Sequence, residues 1–162
     1  MQLKNAEFLP LAVSYLETKD SVKIPLKGFS MRPFLESERD YALLAKPHAP
    51  VLYEPVLALL PDERWVLHRI VRIEGENITL LGDGNLSPEH CKTSDIKASI
   101  IGFYRKKRTT LDRIDGRKWK LYSKIWVPLL PVRRWLLLFY KVFVIHEIPN
   151  RLKPKSKRIP SA

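Results

Sequence analysis

The sequence predicts a mostly β body followed by a basic, partly helical C-terminal extension. Three observations predict it. Between residues 21 and 104, short apolar runs alternate with turn-forming residues. Thirteen prolines stand against six glycines, which suits extended, kinked segments better than a helical bundle. The charge is also divided unevenly. Residues 1–102 hold 12 Lys and Arg against 14 Asp and Glu, a net of −2, whereas residues 103–162 hold 17 against 3, a net of +14. The formal excess of +12 therefore belongs to the last 60 residues, and a basic segment of that kind implies an anionic partner, either a membrane surface or nucleic acid. A chain of 162 residues that is 45% hydrophobic buries one core of ordinary size, which excludes disorder throughout. Its single cysteine, Cys91, excludes an internal disulfide framework and a paired-cysteine zinc site.

Residues 1–20 form a short helical lead. Phe8, Leu9, Ala12, Tyr15 and Leu16 recur at helical spacing in an amphipathic segment that Pro10 is expected to interrupt. Met1–Glu17 lacks the charged, apolar, small order of a cleavable signal peptide, so none is expected. Residues 21–104 carry six strand-like runs: Val22–Leu26, Tyr41–Ala45, Pro55–Leu60, Trp65–Ile73, Asn77–Leu81 and Ile96–Tyr104. Glu74-Gly75-Glu76 reads as the turn of a hairpin between the fourth and fifth. Residues 105–149 change character. The basic clusters 105–108 and 117–120 precede a strongly apolar stretch from Trp126 to His146, broken by Pro128, Pro131, Arg133, Arg134 and Lys141. A helix starting near Pro131 is expected to carry a wide apolar arc and a narrow basic stripe. It suits either the interface of a bilayer or packing on the β body. No uncharged apolar run is long enough to span a membrane, so any association is expected to be peripheral. Residues 150–162, with Lys, Arg and two prolines, read as a disordered basic tail.

Three short boxes carry the chemistry. Gly28-Phe29-Ser30-Met31-Arg32-Pro33 is a tight turn after a strand-like run, and it presents a serine beside a free backbone N–H. His68 lies within the fourth run, just before Arg69. Gly82-Asp83-Gly84-Asn85 follows the fifth run, with Glu89 six residues beyond Asp83. Histidine suits the work of a general base, because its ordinary pKa of about 6.5 leaves it mostly neutral at pH 7. Asp83 and Glu89 are both candidates to orient it, and Asp95 is a weaker one. Lys27 shares the turn with Ser30 and reads as solvated. His90 and Cys91 are neighbours on an extended segment, point to opposite faces and cannot pair. His48, between two prolines, reads as an exposed loop residue, and no metal-ligand spacing is present.

The three boxes, in this order and at these separations, resemble the serine peptidases grouped around type I signal peptidase and the LexA-like self-cleaving repressors. The resemblance covers about residues 24–104. It rests on Ser30-Met31-Arg32-Pro33, His68-Arg69-Ile70 and Gly82-Asp83-Gly84-Asn85. It implies a β-barrel-like peptidase fold, Ser30 as nucleophile, and Gly28 and Met31 beside the substrate. Histidine rather than lysine as base makes the chain most similar to the endoplasmic-reticulum and archaeal signal peptidases, in which an acid stands where Glu89 does. The chain is expected to depart from those families, with neither a membrane-spanning anchor ahead of Ser30 nor a DNA-binding domain expected, and it contains no Ala-Gly or Cys-Gly bond for self-cleavage. The expected activity is cleavage of precursor or signal-type peptides by serine, histidine and an acid, without a cofactor, at a membrane surface. The alternative is an inactive module of the same fold whose basic part binds nucleic acid, with Tyr104, Trp119 and Tyr122 stacking on bases.

Overall fold

A computed structural model describes residues 5–106 and 108–144. The expected basic tail, 150–162, and the end of the apolar stretch lie outside the described residues. Eight strands form one antiparallel sheet: β1 Ser21–Pro25, β2 Tyr41–Ala45, β3 Pro55–Leu59, β4 Trp65–Glu74, β5 Asn77–Leu81, β6 Glu89–Lys92, β7 Ile96–Tyr104 and β8 Leu111–Arg113. Their order is β1-β2-β7-β3-β4-β5-β6, with β8 paired to β7. All six expected runs are strands, within a residue at each end. The sheet also has two short strands that the sequence pattern hid. In β6 only Cys91 of four residues is apolar, so no alternation marks it; pairing with β5 creates the strand. β8 has three residues and exists by pairing with β7.

Both faces of the central strands are covered. Val56 and Ala58 of β3 join Ile70, Ile78, Leu80 and Cys91 on one side, while Leu57 between them joins Ile24, Leu44, Ala98, Ile100 and Phe103 on the other. Opposite placement of consecutive side chains follows from the two-residue period of a strand. The helix α1, Asn5–Tyr15, adds Leu9 and Ala12 to the second cluster, followed by Leu16 just beyond its end. Pro10 lies inside α1 rather than interrupting it, so tertiary packing overrides one missing N–H. Tyr15, expected on the apolar face, is exposed.

The last third differs most from its expectation. Arg117–Trp126 is a second helix, α2, where the sequence pattern showed only basic clusters. Its Trp119, 4% exposed, is part of the main core, 4.8 Å from the Phe34 ring and 5.3 Å from that of Phe103. The third helix, α3, runs Leu130–Phe139 with Pro131 in its first turn and continues as a π-helical turn through Val144. Arg133, which looked like an interruption of an apolar run, is the buried anchor of α3, only 1% exposed. No helix among the described residues is long and apolar enough to cross a membrane.

Candidate active site

The serine turn is built between β1 and β2. Gly28 sits at φ +90°, a conformation side chains disfavour, and its N–H donates to Ser37 Oγ at 3.1 Å. The segment is closed behind by Asp40, whose carboxylate accepts from the Glu36 and Lys106 backbone N–H groups and from Arg39. Burial works to raise the pKa of Asp40, but these donors outweigh it and lower it.

The Gly82–Asn85 loop lies directly against this turn. Gly84 N–H donates to the Ser30 carbonyl at 2.7 Å. A Cβ on Gly82 would stand 2.5 Å from the Ser30 carbonyl oxygen, and one on Gly84 would stand 2.6 Å from that of Phe29. The two glycines of the box are therefore required by backbone-to-backbone approach, and they set the position of Ser30.

His68 is carried by β4 opposite Val56 of β3 and is 3% exposed. Its Nδ1 lies 2.6 Å from Glu89 Oε2, and neither atom has another hydrogen-bond partner among the described residues. The other oxygen of Glu89 accepts from Arg64 Nη1 at 2.9 Å. Arg64 was not singled out by the sequence: it lies 25 residues from Glu89, and only the pairing of β4, β5 and β6 brings them together. Burial disfavours the imidazolium more than Glu89 favours it, so the pKa of His68 is lowered.

Asp83 is elsewhere. His68 and Arg69 are consecutive in β4 and point to opposite faces. Asp83 follows Arg69, accepting from its Nε at 2.9 Å and its Nη2 at 2.7 Å, and from the Tyr122 hydroxyl at 3.1 Å. Arg69 also donates to Ser123 Oγ and the Tyr53 carbonyl, and its guanidinium lies over the Trp119 ring at 4.5 Å. Of the two acids, Glu89 contacts the imidazole and Asp83 fastens the loop to α2. Asp95 accepts the Lys92 N–H beside a single 3-10 turn, Thr93–Asp95, and does not line the cavity described next.

Ser30, His68 and Glu89 line one cavity of about 240 Å³, together with Gly28, Met31, Lys27, Glu36, Arg64 and Asn85. Met31 belongs to the main core and also lines this cavity. Lys27 is exposed at the rim. Cys91 is buried, which pushes its thiol up to about 11, while His90 on the same strand is exposed. His48 is exposed, with Nε2 3.5 Å from Glu54. Among the described residues no three His, Cys, Asp or Glu side chains converge as metal ligands would. The aromatic residues expected to stack on bases are otherwise engaged. Trp119 is buried, Tyr122 stacks on Phe34 at 4.6 Å, and Lys23 covers the Tyr104 ring at 4.4 Å. No protein-family model and no curated protein matches the chain.

Proposed function

We propose that the chain is a serine endopeptidase with the fold and mechanism of the histidine-type signal peptidases that its three boxes resemble. The observation that carries the reading is the 2.6 Å contact of His68 Nδ1 with Glu89, in the wall of the cavity that Ser30 lines. A carboxylate on Nδ1 fixes the tautomer with its proton there and leaves Nε2 to act as base. Ser30 Oγ then attacks the scissile carbonyl of a precursor or signal-type peptide, and His68 Nε2 takes its proton. The Ser30 N–H donates to the developing oxyanion, beside Gly28 where some relatives carry a helping serine. His68 returns the proton to the leaving amine. It next activates the water that hydrolyses the acyl-serine ester, freeing Ser30.

The site of action in this reading is an anionic membrane surface. Along α3 and the turn after it, Val132, Trp135, Leu136, Phe139 and Phe143 share one helical face and are exposed, Trp135 by 69% and Phe143 by 65%. Leu121 and Ile125 of α2 are exposed as well, and the net +14 of residues 103–162 supplies the charge for lipid head groups.

The test is a peptide-cleavage assay with Ser30→Ala and His68→Ala beside the wild type. Each substitution should lower the rate by ~10⁴-fold or more, since nucleophile and base act as a unit. Cleavage that survives Ser30→Ala would end the assignment. An inactive wild type that binds nucleic acid would instead favour a binding module.

A further inference from the structure

A second hollow opens on the other side of Ser30, and α3 with its following turn forms its outer wall. It encloses about 230 Å³ between Phe29, Ser30 and Arg32 of the serine turn and Leu137, Tyr140 and Lys141 of the C-terminal segment. Ser30 and Asn85 line both this hollow and the His68 cavity, so the two are neighbouring parts of one cleft meeting at the nucleophile. We propose that this hollow is a substrate subsite for an acidic side chain, selected by Lys141, within a residue or two of the cleaved bond. The inference rests on the peptidase reading and adds a substrate preference to it.

Two side chains, Arg133 and Tyr140, fix the wall in place. Arg133 donates from Nη2 to the Trp126 carbonyl at 3.0 Å and reaches the Gly82 and Asn85 carbonyls at 3.4 and 3.5 Å, tying α3 to the loop that positions Ser30. Tyr140 donates its hydroxyl to Glu36 Oε1 at 2.7 Å, and Glu36 lines the His68 cavity. The other Glu36 oxygen accepts from Arg32 Nε at 3.0 Å. The C-terminal segment is thus bonded to both halves of the cleft.

The chemistry of the hollow is cationic and partly apolar. Arg32 lies over the Phe29 ring at 3.9 Å and is balanced by Glu36, whereas Lys141 is exposed at the edge. Among the described residues no carboxylate lines the hollow. The methylenes of a glutamate would lie along Phe29 and Leu137 while its carboxylate took a charge-assisted bond from Lys141. An extended polypeptide advances about 3.3 Å per residue, so a peptide with its carbonyl at Ser30 places an adjoining side chain in this space.

The deciding experiment exposes the full chain to a defined library of synthetic peptides and reads cleavage sites by mass spectrometry for the wild type, Ser30→Ala and Lys141→Glu. Paired peptides differing only by Glu or Lys at the enriched position then give kcat/KM. Wild type should enrich Asp and Glu at one position beside the cleaved bond. Lys141→Glu should lower kcat/KM for the Glu peptide by about tenfold and raise it for the Lys peptide. Cleavage that needs Ser30 but shows no acidic preference, or an unchanged preference in Lys141→Glu, overturns the subsite and leaves the peptidase standing. Absence of Ser30-dependent cleavage overturns both.

Discussion

Two acid–base pairs sit on adjacent residues of β4 and face opposite ways. Arg69 and Asp83 are sealed: 0% and 1% exposed, joined by two hydrogen bonds, and roofed by Tyr122, Ser123 and Trp126 of α2. His68 and Glu89 are just as close, but their pair borders a cavity, and Glu89 keeps contact with the surface through Arg64. A bidentate pair with every polar atom engaged has nothing left to give a substrate and serves to hold a loop. A histidine held at one nitrogen beside an open cavity is arranged to move a proton. In the proposed peptidase, the same strand thus separates scaffold from chemistry by nothing more than the alternation of its side chains.

Neutralising each acid in turn should separate the two pairs. Glu89→Gln should lower peptidase kcat by ~10²–10⁴-fold, through loss of the imidazole's tautomer and orientation, with little change in thermal unfolding. Asp83→Asn should do the reverse. It leaves the Arg69 charge buried without a counter-charge and should destabilise the fold by ~3–5 kcal/mol, read as a fall in unfolding temperature by calorimetry. Any loss of activity at a temperature where the variant remains folded should be smaller than that of Glu89→Gln. If Asp83→Asn proves the more damaging to catalysis and the milder to stability, the division of labour is wrong.

The roof over the Arg69 side gives the next contrast, between its inner and outer surfaces. Inside, Trp119, Trp126 and Arg133 are buried; outside, Trp135, Phe139 and Phe143 face solvent. A double substitution, Leu136→Asp with Phe139→Asp, changes only outward residues. Each apolar side chain fully buried in lipid contributes roughly 1.5–3 kcal/mol. Co-sedimentation with anionic liposomes should therefore collapse in the double variant while its unfolding temperature stays near that of the wild type. Retained liposome binding would show that the outer face is not what meets the membrane.

The sheet was largely legible because its strands are apolar runs bounded by turns; the serine and Gly82–Asn85 boxes were legible because glycines and a serine mark sharp backbone turns, and His68, inside β4, only by its place between them. The orienting acid was left open between Asp83 and Glu89. Strand alternation around His68 and Arg69 separates them only once β5 and β6 are known to pair, and β6 carries no apolar pattern of its own. Arg133 misled for a related reason: a charged residue in an apolar run reads as a break, whereas carbonyls from Gly82, Asn85 and Trp126 supply a buried guanidinium with acceptors that no local pattern reveals. Trp119 likewise sits in a basic cluster by sequence yet completes the main core, so that core extends into α2.

The smallest effect, and the finest test of the open pair, is in pH. Burial lowers the pKa of His68 below 6.5 despite the opposing pull of Glu89 and the weaker pull of Asp83, with Arg64 adding to the lowering. The acid limb of kcat/KM should therefore fall below about 6.5, and in Glu89→Gln it should move lower still, because the main charge favouring the imidazolium is gone. The same shift acts on stability. Above about pH 6.5 the histidine is neutral in both states and its contribution is unchanged; as pH falls from there toward the folded value, the unfolded chain takes up the proton first and stability drops. Urea midpoints measured across that window should decline more steeply in the wild type than in His68→Asn, which removes this titration while the carboxylates remain. An acid limb at or above 6.5 would mean that Glu89 outweighs burial, and one near 8.5 would move the role of base to a lysine, with Lys27 at the cavity rim the residue to substitute next.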